Sequence, residues 1–344
     1  MPARSITDVA AASGVSIATV SRALRGLPNV SERTRAIVRK AADDLGYVAS
    51  SSASGLASGR TMSMGVLVPS LEQWFCAGAL EGIDAVLRAA DYDLILFTVG
   101  HHAAERDRLF RHALQRRRTD ALIVLCVDLD QAERELLTGL GHPIVSVGAR
   151  TRGVRHIDVD HLDAARVATS HLVELGHTHI AHLAGVTRPG FARETIGLRR
   201  RGYERALHDA GIEPRPDWSI RADFDTARAR EAMADLLGRP GQRPTAVVAD
   251  SDELAVGALL AASSLGLRVP ADLSVIGIGD KSFAKAFDLT TVAVKPYEQG
   301  VAAARMLLGD IAGTPQRGGT TQVGRSTRHP VAIVLRDSTA PPAC

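Results

Sequence analysis

The sequence predicts an α/β protein with a small helical head and a larger body of two lobes, each built on a doubly wound parallel sheet. The first sixty residues contain three short patterns of helical period and no strand pattern. After Arg60, apolar runs bounded by turn residues alternate with amphipathic helical stretches, a pattern typical of buried parallel strands joined by helices. A length of 344 residues is enough for two or three folded units.

The predicted strands of the body recur along the chain at residues 64–69, 93–99, 121–127, 143–147, 179–185, 245–250 and 273–279. Amphipathic helical stretches lie between most of them, at residues 77–90, 161–176, 195–211 and 252–266. Ligands of such folds bind at the carboxyl ends of the strands, and two lobes place a cleft between them. The body is therefore predicted to bind its ligand between the lobes.

The head begins with two helices joined by a glycine turn. Ser5 and Asp8 have the spacing of a capping box, which marks a helix start. Gly14 then interrupts the apolar pattern, and Ser16 caps a second helix. Two helices in this arrangement form a helix-turn-helix, whose second helix suits the major groove of DNA.

The second and third helices complete a small core. Val20 and Leu24 point inward from the second helix, which leaves an outer face of Ile17, Ala18, Ser21, Arg22 and Arg25. A third helix begins after Ser31 and ends at Gly46. Its predicted apolar stripe consists of Ile37, Val38, Ala41 and Leu45.

The positive charge of the chain is concentrated in the head. The whole sequence has a net charge of +3, but residues 1–60 contain eight Lys or Arg against four Asp or Glu. Ala18 would fit against a thymine methyl group, and Arg22 has the fork that pairs with guanine. Hydroxyl groups of the kind that contact phosphate belong to Ser16, Thr19, Ser31, Thr34 and Tyr47. The alternative is a helical bundle with no nucleic-acid role, and the small, basic outer face argues against it.

The stretch "ITDVAAASGVSIATVSRALRG…VSERTRAIVRKAADDLGY" resembles the DNA-binding head of the lactose-repressor (LacI/GalR) family of transcriptional regulators. The resemblance implies that Ile17, Ala18 and Arg22 read bases. It also implies groove and phosphate contacts for Ser16, Thr19, Ser21, Asn29, Ser31, Thr34 and Tyr47.

The segment "GYVASSSASGLASGR" has the composition of a flexible linker, yet it contains one large apolar residue, Leu56. In the family that the head resembles, this segment becomes a hinge helix on the operator and enters the minor groove. Ala53 and Leu56 match that pattern, so the resemblance implies that Leu56 is a wedge between base steps.

The body resembles the periplasmic-binding-protein-like core of the same family, through phrases such as "HLVELGHTHIAHLAG", "SDELAVGAL" and "GLRVPADLSVIGIGD". The implied organisation is a DNA-binding domain at 1–48, a hinge at 49–60 and an effector-binding and dimerisation core at 61–344. In the family the chain crosses between the lobes three times. The expected lobes are therefore about 61–160 with 292–325, and about 161–291 with 326–339.

The resemblance also implies effector-binding positions in the body. Arg199 lies in the R-x-x-G-aromatic phrase, Ser251 follows a strand, and Trp74 with Phe75 follows the first strand. Gly279 replaces an Asp that often binds sugar hydroxyls, which weakens the case for a plain neutral sugar. A modified or phosphorylated sugar, a non-sugar metabolite and a protein partner remain open.

Other classes of protein find little support in the sequence. Nucleotide-binding, metalloprotease and hydrolase motifs are absent, and the three cysteines lie far apart, so we expect no enzyme, cofactor or metal site. The histidines of "GHTHIAH" (His177, His179 and His182) are predicted to have backbone partners rather than a metal. No membrane span and no signal-peptide pattern is found, so we expect the cytoplasm.

Together these observations predict a transcriptional repressor that binds a pseudo-palindromic double-stranded operator as a homodimer, or as a tetramer. A sugar or related metabolite bound between the lobes would control its affinity for the operator. An activator or a corepressor-dependent regulator of the same architecture is the alternative. A solute-binding protein and a DNA-tethered enzyme are the other classes, and the helix-turn-helix argues against the first of them.

Overall fold

The computed structural model describes residues 4–24, 28–47, 60–71, 73–100, 102–186, 193–313 and 327–343. The chain divides into two compact units, Met1–Met62 and Ser63–Cys344. We call the first unit the head and the second the body, and each is described by itself.

The head contains three helices, α1 (Ile6–Ser13), α2 (Ile17–Leu24) and α3 (Glu32–Leu45). The backbone N–H of Ser5 donates to the Asp8 carboxylate over 2.8 Å, as the capping spacing predicts. Its core is formed by Val9, Val20, Ala23, Val38, Ala41 and Ala42. Ile37, expected in the apolar stripe of α3, is instead 46% exposed, because the buried side of this helix is formed by Val38 and the two alanines.

The first half of the body consists of β1 (Ser63–Val68), α4 (Trp74–Ala89), β2 (Asp93–Thr98), α5 (Ala103–Arg108), β3 (Ala121–Leu125), α6 (Gln131–Thr138), β4 (Ile144–Val147) and β5 (Arg155–Val159). The second half consists of α7 (His161–Glu174), β6 (Ile180–Gly185), α8 (Arg193–Asp209), β7 (Ser219–Ala222), α9 (Thr226–Gly238), β8 (Ala246–Ala249), α10 (Asp252–Ser264), β9 (Ser274–Gly279), β10 (Thr290–Ala293), α11 (Pro296–Gly313), β11 (Thr327–His329) and β12 (Ala332–Val334).

In the part of the chain that the structure describes, twelve strands form two six-stranded sheets with the same strand order. The first has the order β11-β5-β4-β3-β1-β2 and the second the order β12-β10-β9-β8-β6-β7. All neighbouring pairs are parallel except β10 and β12. We call the part built on the first sheet the first lobe and the part built on the second sheet the second lobe. Most strands in both sheets are fully buried, which explains why they appear in the sequence as continuous apolar runs.

The chain crosses between the sheets three times. The first two crossings follow β5 and β10, close to the expected residues 160 and 292. The third was expected near residue 325, but it lies between His329 and Ala332. The reason is that Thr327 still pairs with Ile157 of the first sheet, so β11 belongs to the first lobe.

The C-terminal segment is part of the second lobe. Val275 of β9 exchanges hydrogen bonds with Ser338, which accepts its N–H over 2.8 Å and donates from Oγ to its carbonyl over 2.6 Å. The Ala340 N–H donates to Ser274 over 3.0 Å, so the segment extends beyond the expected end of the lobe at residue 339. Among the described residues, no helix is long and apolar enough to cross a membrane.

Candidate DNA-reading face and effector cleft

The outer face of α2 is fixed by its buried side. Val20 and Ala23 are fully buried in the head core, so Ile17 and Ala18 point away from it. Ile17 is 48% exposed and Ala18 is also exposed. An apolar residue exposed at the first turn of such a helix is the type of group that contacts base edges in the major groove.

Arg22 is less free than the sequence suggests. Its side chain is half-buried, and Nη2 donates to the carbonyl of Pro28 over 2.9 Å. Ser21, on the same turn, is also half-buried. A guanine contact by Arg22 therefore requires the guanidinium to exchange this carbonyl for the base.

The predicted phosphate contacts gather at two helix starts. Ser16 accepts the Thr19 N–H over 3.1 Å at α2, and Ser31 accepts the Thr34 N–H over 3.2 Å at α3. The two hydroxyls of each pair also bond to each other. Helix N-termini attract anions through their free N–H groups and dipole, so both pairs are placed where a phosphate is favoured.

The remaining head positions differ in their surroundings. Asn29 is exposed and has a φ of 68°, a left-handed conformation that asparagine tolerates. Tyr47 is half-buried and packs against the head core. The hinge positions Ala53 and Leu56 lie outside the described residues.

In the body, Arg199 is held in the second lobe at the carboxyl end of its sheet. It is only 8% exposed, and Nη1 donates to the carbonyl of Asp250, the residue that follows β8. Burial lowers the pKa of Arg199, while Asp250, Asp158 and Asp252 act in the opposite direction. An arginine remains charged under such conditions, so the group is a fixed buried cation.

Ser251 has a structural task. It is buried, and its Oγ accepts the Leu254 N–H over 3.4 Å as the cap of α10. A ligand bond at this hydroxyl would therefore share it with the helix start.

Trp74 and Phe75 begin α4 in the first lobe. Their rings meet edge to face, with centroids 6.5 Å apart, and both are half-buried. They pack against an apolar cluster that includes Ile276 and Ile278 of the second sheet. The structure thus brings the predicted aromatic residues to the boundary between the lobes, on the side where Arg199 lies.

A buried acid–base pair lies beneath Arg199, and the sequence does not predict it. His182 Nε2 bonds to the Asp250 carboxylate over 3.0 Å, and the same carboxylate accepts the Gly185 N–H over 3.0 Å. His182 stacks on Tyr203 with a centroid distance of 4.8 Å. Burial would raise the pKa of Asp250, but His182, Arg199 and the Gly185 amide outweigh it and lower that pKa.

The three histidines of the sequence motif have different partners. His182 bonds to a carboxylate rather than to the predicted backbone group. His177 meets the Ala340 carbonyl over 2.8 Å, and His179 lies on Trp218 with a centroid distance of 5.6 Å. Within the described ranges, no group of three or more His, Cys, Asp or Glu side chains could hold a metal ion.

Lys281 is a further charged residue at the boundary. It follows β9 in the second lobe, and its Nζ lies 5.0 Å from the centroid of the Trp74 ring in the first lobe. Its ammonium also pairs with the Glu253 carboxylate. The sequence alone gives Lys281 no role, although this residue directly follows the phrase "GIGD", in which an aspartate is missing.

Two family models match the chain. The model described as bacterial regulatory proteins, lacI family, matches residues 5–50, and the periplasmic binding protein-like domain model matches residues 169–339. The HTH-type transcriptional repressor PurR of Edwardsiella ictaluri is 33% identical over 337 residues, which cover 96% of each chain. PurR of Pectobacterium carotovorum subsp. carotovorum is 33% identical over 340 residues, again with 96% of each chain covered.

The chain belongs to the lacI family of bacterial regulatory proteins. Among solved structures, the lac repressor dimer bound to operator and the anti-inducer ONPF is 26% identical, with a TM-score of 0.84 over 98% of this chain and 99% of that one. The complex of the transcriptional regulator CelR with cellobiose is 29% identical, with a TM-score of 0.69 over 97% and 99% of the two chains. The protein is accordingly a DNA-binding transcription regulator, and the predicted family and fold class are confirmed.

Proposed function

We propose that this regulator is a repressor that binds a pseudo-palindromic operator as a homodimer and releases or tightens its hold when a small molecule binds between the lobes. The observation that carries the proposal is the outer face of α2. Ile17 is an apolar residue that is 48% exposed on a helix whose other side is locked into the head core. Full-length relatives described as transcriptional repressors support the same activity.

In the head, we assign base readout to Ile17, Ala18 and Arg22. The two capped helix starts supply phosphate contacts through Ser16, Thr19, Ser31 and Thr34, with Ser21, Asn29 and Tyr47 as further groove and backbone contacts. Phosphate contacts fix position without carrying sequence information, whereas the α2 face supplies the sequence preference. We extend the proposal to the hinge at 49–60, where Ala53 would enter the minor groove and Leu56 would be the wedge.

In the body, the proposed effector site lies at the carboxyl ends of the two sheets. Arg199 supplies a buried donor fork, Trp74 and Phe75 supply ring faces, and Ser251, which follows β8 and Asp250, supplies a hydroxyl. An effector changes operator binding only if it binds one arrangement of the lobes more tightly than the other. Contacts from both lobes to one ligand provide that difference.

The proposal gives the protein no catalytic role and places it in the cytoplasm. The relatives with named activities are repressors rather than enzymes. The lac repressor was solved with operator and an anti-inducer, and CelR with cellobiose, which supports effector control of this chain. A solute-binding protein would have no use for a helix-turn-helix with an exposed reading face.

The test begins with selection of the preferred DNA from sheared genomic fragments by the full chain. Arg22→Ala should then weaken binding to the selected site by about 1–3 kcal/mol and relax the preference at one position of each half-site. Binding affinities for the site and for single-base variants of it, measured at one salt concentration, give both quantities.

Arg39→Ala is the matched control, because Arg39 is an exposed arginine of α3 outside the proposed reading face. It should leave the order of preference among the DNA variants unchanged. If Arg22→Ala weakened binding to all sequences equally, Arg22 would be a phosphate contact and the assignment of base readout would be wrong.

A further inference from the structure

The loop after β9 lacks one carboxylate of the family phrase and carries a lysine, Lys281, two residues further on. Gly279 occupies the position of the usual Asp, and a Cβ atom there would lie 2.8 Å from the Asp252 carboxylate. The remaining acid of the loop, Asp280, is engaged elsewhere, since Arg336 Nη2 donates to it over 2.7 Å. The side chain that the loop directs toward the first lobe is therefore that of Lys281.

Lys281 is enclosed by groups from both lobes. It is 8% exposed, and its ammonium lies 5.0 Å from the Trp74 ring centroid and 5.9 Å from that of Phe283. Its charge is paired with Glu253 at the start of α10. Burial lowers the pKa of Lys281 to about 8, with Arg199 acting in the same direction and Asp252 opposing it.

Arg199 is a second buried cation at the same end of the second sheet. Arg199 donates to the Asp250 carbonyl, and the Lys281 N–H donates to the Asp252 carboxylate two residues further on. The charge of Arg199 also lowers the pKa of Lys281. Within the described part of the chain, Arg199 Nε is buried and has no hydrogen-bond partner. Glu253 Oε2 is likewise buried without a partner among those residues. An oxyanion that bonded to both cations would satisfy the free donor and reduce the repulsion between like charges.

Two nearby carboxylates of the second lobe, those of Asp250 and Asp252, are already engaged. Asp250 accepts from His182 and the Gly185 amide. Asp252 accepts the Lys281 N–H over 2.7 Å and the Thr291 hydroxyl over 2.5 Å. They hold the protein framework together, so they do not compete as acceptors for the hydroxyl groups of a ligand.

The first lobe contributes no carboxylate of its own after β4. Gly148 and Ala149 stand there, and Phe75 packs against the glycine. This part of the wall is apolar, and it faces the two cations of the second lobe. The buried Asp158 near the end of β5 accepts the Val159 N–H over 2.8 Å. A neutral polyol needs acceptors for its hydroxyl protons, whereas an anion with a flat apolar body matches both walls.

We propose that Lys281, together with Arg199, selects an anionic effector: a small organic molecule whose carboxylate or phosphate group binds the two cations while its flat body lies against Trp74. This inference rests on the proposed function, because it names the ligand class of the proposed effector cleft. Glu253 holds the ammonium until the effector oxyanion replaces it.

The test uses the full chain and three small probes of similar shape, namely phenyl phosphate, benzoate and benzyl alcohol. Calorimetric titration at constant ionic strength should show binding of at least one of the two anions and much weaker binding of the neutral alcohol. Comparison of phenyl phosphate with benzoate distinguishes a phosphate from a carboxylate effector.

Lys281→Met keeps an apolar chain over Trp74 but removes the charge. It should weaken binding of the preferred anion about tenfold or more, as expected for the loss of one charged hydrogen bond, and leave the alcohol unaffected. Lys285→Met is the matched control, because Lys285 is an exposed lysine of the following helical turn. Its anion affinity should equal that of the original protein.

Glu253→Gln gives the opposite prediction. Without the competing carboxylate, Lys281 is available to the ligand, so the anion should bind more tightly than to the original protein. If the salt bridge had only a structural role, both Glu253→Gln and Lys281→Met would lower the free energy of unfolding. Glu253→Gln would then not bind the anion more tightly, and Lys281→Met would not bind it more weakly.

Two results would overturn the inference: no binding of either anion by the original chain, or equal binding by the original chain and Lys281→Met. Neither result would contradict the proposed function, which is tested separately by DNA selection and by Arg22→Ala. If the full chain bound all DNA sequences with equal affinity, both with and without the preferred anion, the proposed function would instead be refuted.

Discussion

The two lobes of the body share one strand order, yet their carboxyl edges differ in chemistry. The first sheet ends mostly in aromatic and small groups, including Phe75, Cys126 and Gly148, and its one buried carboxylate among the described residues of β5 is that of Asp158. The second sheet ends in buried charges, including Asp250 and Lys281. Equivalent positions in two similar sheets therefore have different chemical roles, because the fold determines where a side chain lies but not which residue type it is.

The difference suggests that the two lobes contribute differently to ligand binding. An apolar wall gives affinity without much directional preference, whereas fixed charges specify which polar group may enter. The Cys126 thiol of the first lobe also favours its neutral form, because Cys76 and burial raise the pKa of Cys126 well above its usual value. Substitutions on the two sides should accordingly affect stability and ligand choice in different proportions.

The largest effect is expected from the buried charges of the second lobe. Asp250→Ala removes the partner of His182 and the Gly185 amide, and it leaves Arg199 without its nearest carboxylate. Breaking such a buried network should lower the free energy of unfolding by about 3–5 kcal/mol. Urea unfolding followed by the fluorescence of Trp218, which is buried in this lobe, measures the change.

A control for this prediction comes from the first lobe. Asp107 forms an ion pair with Arg111 in which both side chains are more than half exposed. Asp107→Ala should therefore change the unfolding free energy by no more than about 1 kcal/mol. If the two variants were equally stable, the buried charges would not be the structural basis of the second lobe.

A smaller effect should follow from filling the apolar wall of the first lobe. Gly148 has a φ of 71°, and a Cβ atom there would lie 2.7 Å from Cys126 Sγ and 2.9 Å from Phe75 Cε1. Gly148→Ala should cost about 1–3 kcal/mol through backbone strain and displaced side chains. Thermal or urea unfolding of the variant measures that cost.

Gly153→Ala separates the two causes. Gly153 has a similar φ of 80°, but a Cβ atom there would meet nothing within 4 Å. Gly153→Ala should lose stability only through its backbone conformation. The additional loss of stability in Gly148→Ala therefore measures the packing of the wall against residue 148. Equal costs would show that Cys126 and Phe75 move aside freely.

The sequence predicts β1, β2, β3, β4, β6, β8 and β9, and it misses β5, β7, β10, β11 and β12. Continuous apolar runs identified β1, β3, β8 and β9, since these strands are buried on both faces. β10 has no such run, because Thr290 and Thr291 are buried with their hydroxyls bonded to Arg336 and Asp252. β7, β11 and β12 are short outer strands that gain their partners only from the assembled sheets.

The same distinction holds for the site. Motif resemblance identified Arg199, and local capping identified Ser16 and Ser31, because these signals lie within a few residues. The His182–Asp250 pair joins residues 68 positions apart, and Lys281 meets Trp74 from the other lobe. Contacts between distant parts of the chain leave no periodic trace, so only the folded structure reveals them.

The smallest effect concerns the C-terminal segment, which binds the second lobe. His177 bonds to Thr245 over 2.9 Å and to the Ala340 carbonyl over 2.8 Å, and burial lowers the pKa of the imidazole. The folded state therefore prefers neutral His177. Stability from this group is present above its unfolded pKa of about 6.5 and is lost as the pH falls below that value, at most by about 1.4 kcal/mol per pH unit.

In His177→Gln the unfolding free energy should fall less steeply as the pH drops below about 6.5, because no imidazole remains to take up a proton on unfolding. His208→Gln is the matched control, since the His208 side chain is 83% exposed and its loss should leave the slope unchanged. The two slopes, from urea midpoints at several pH values, decide the matter. If the slope were unchanged in His177→Gln, other histidines would cause the acid sensitivity. The contact between His177 and the C-terminal segment would then not contribute to the pH dependence of the unfolding free energy.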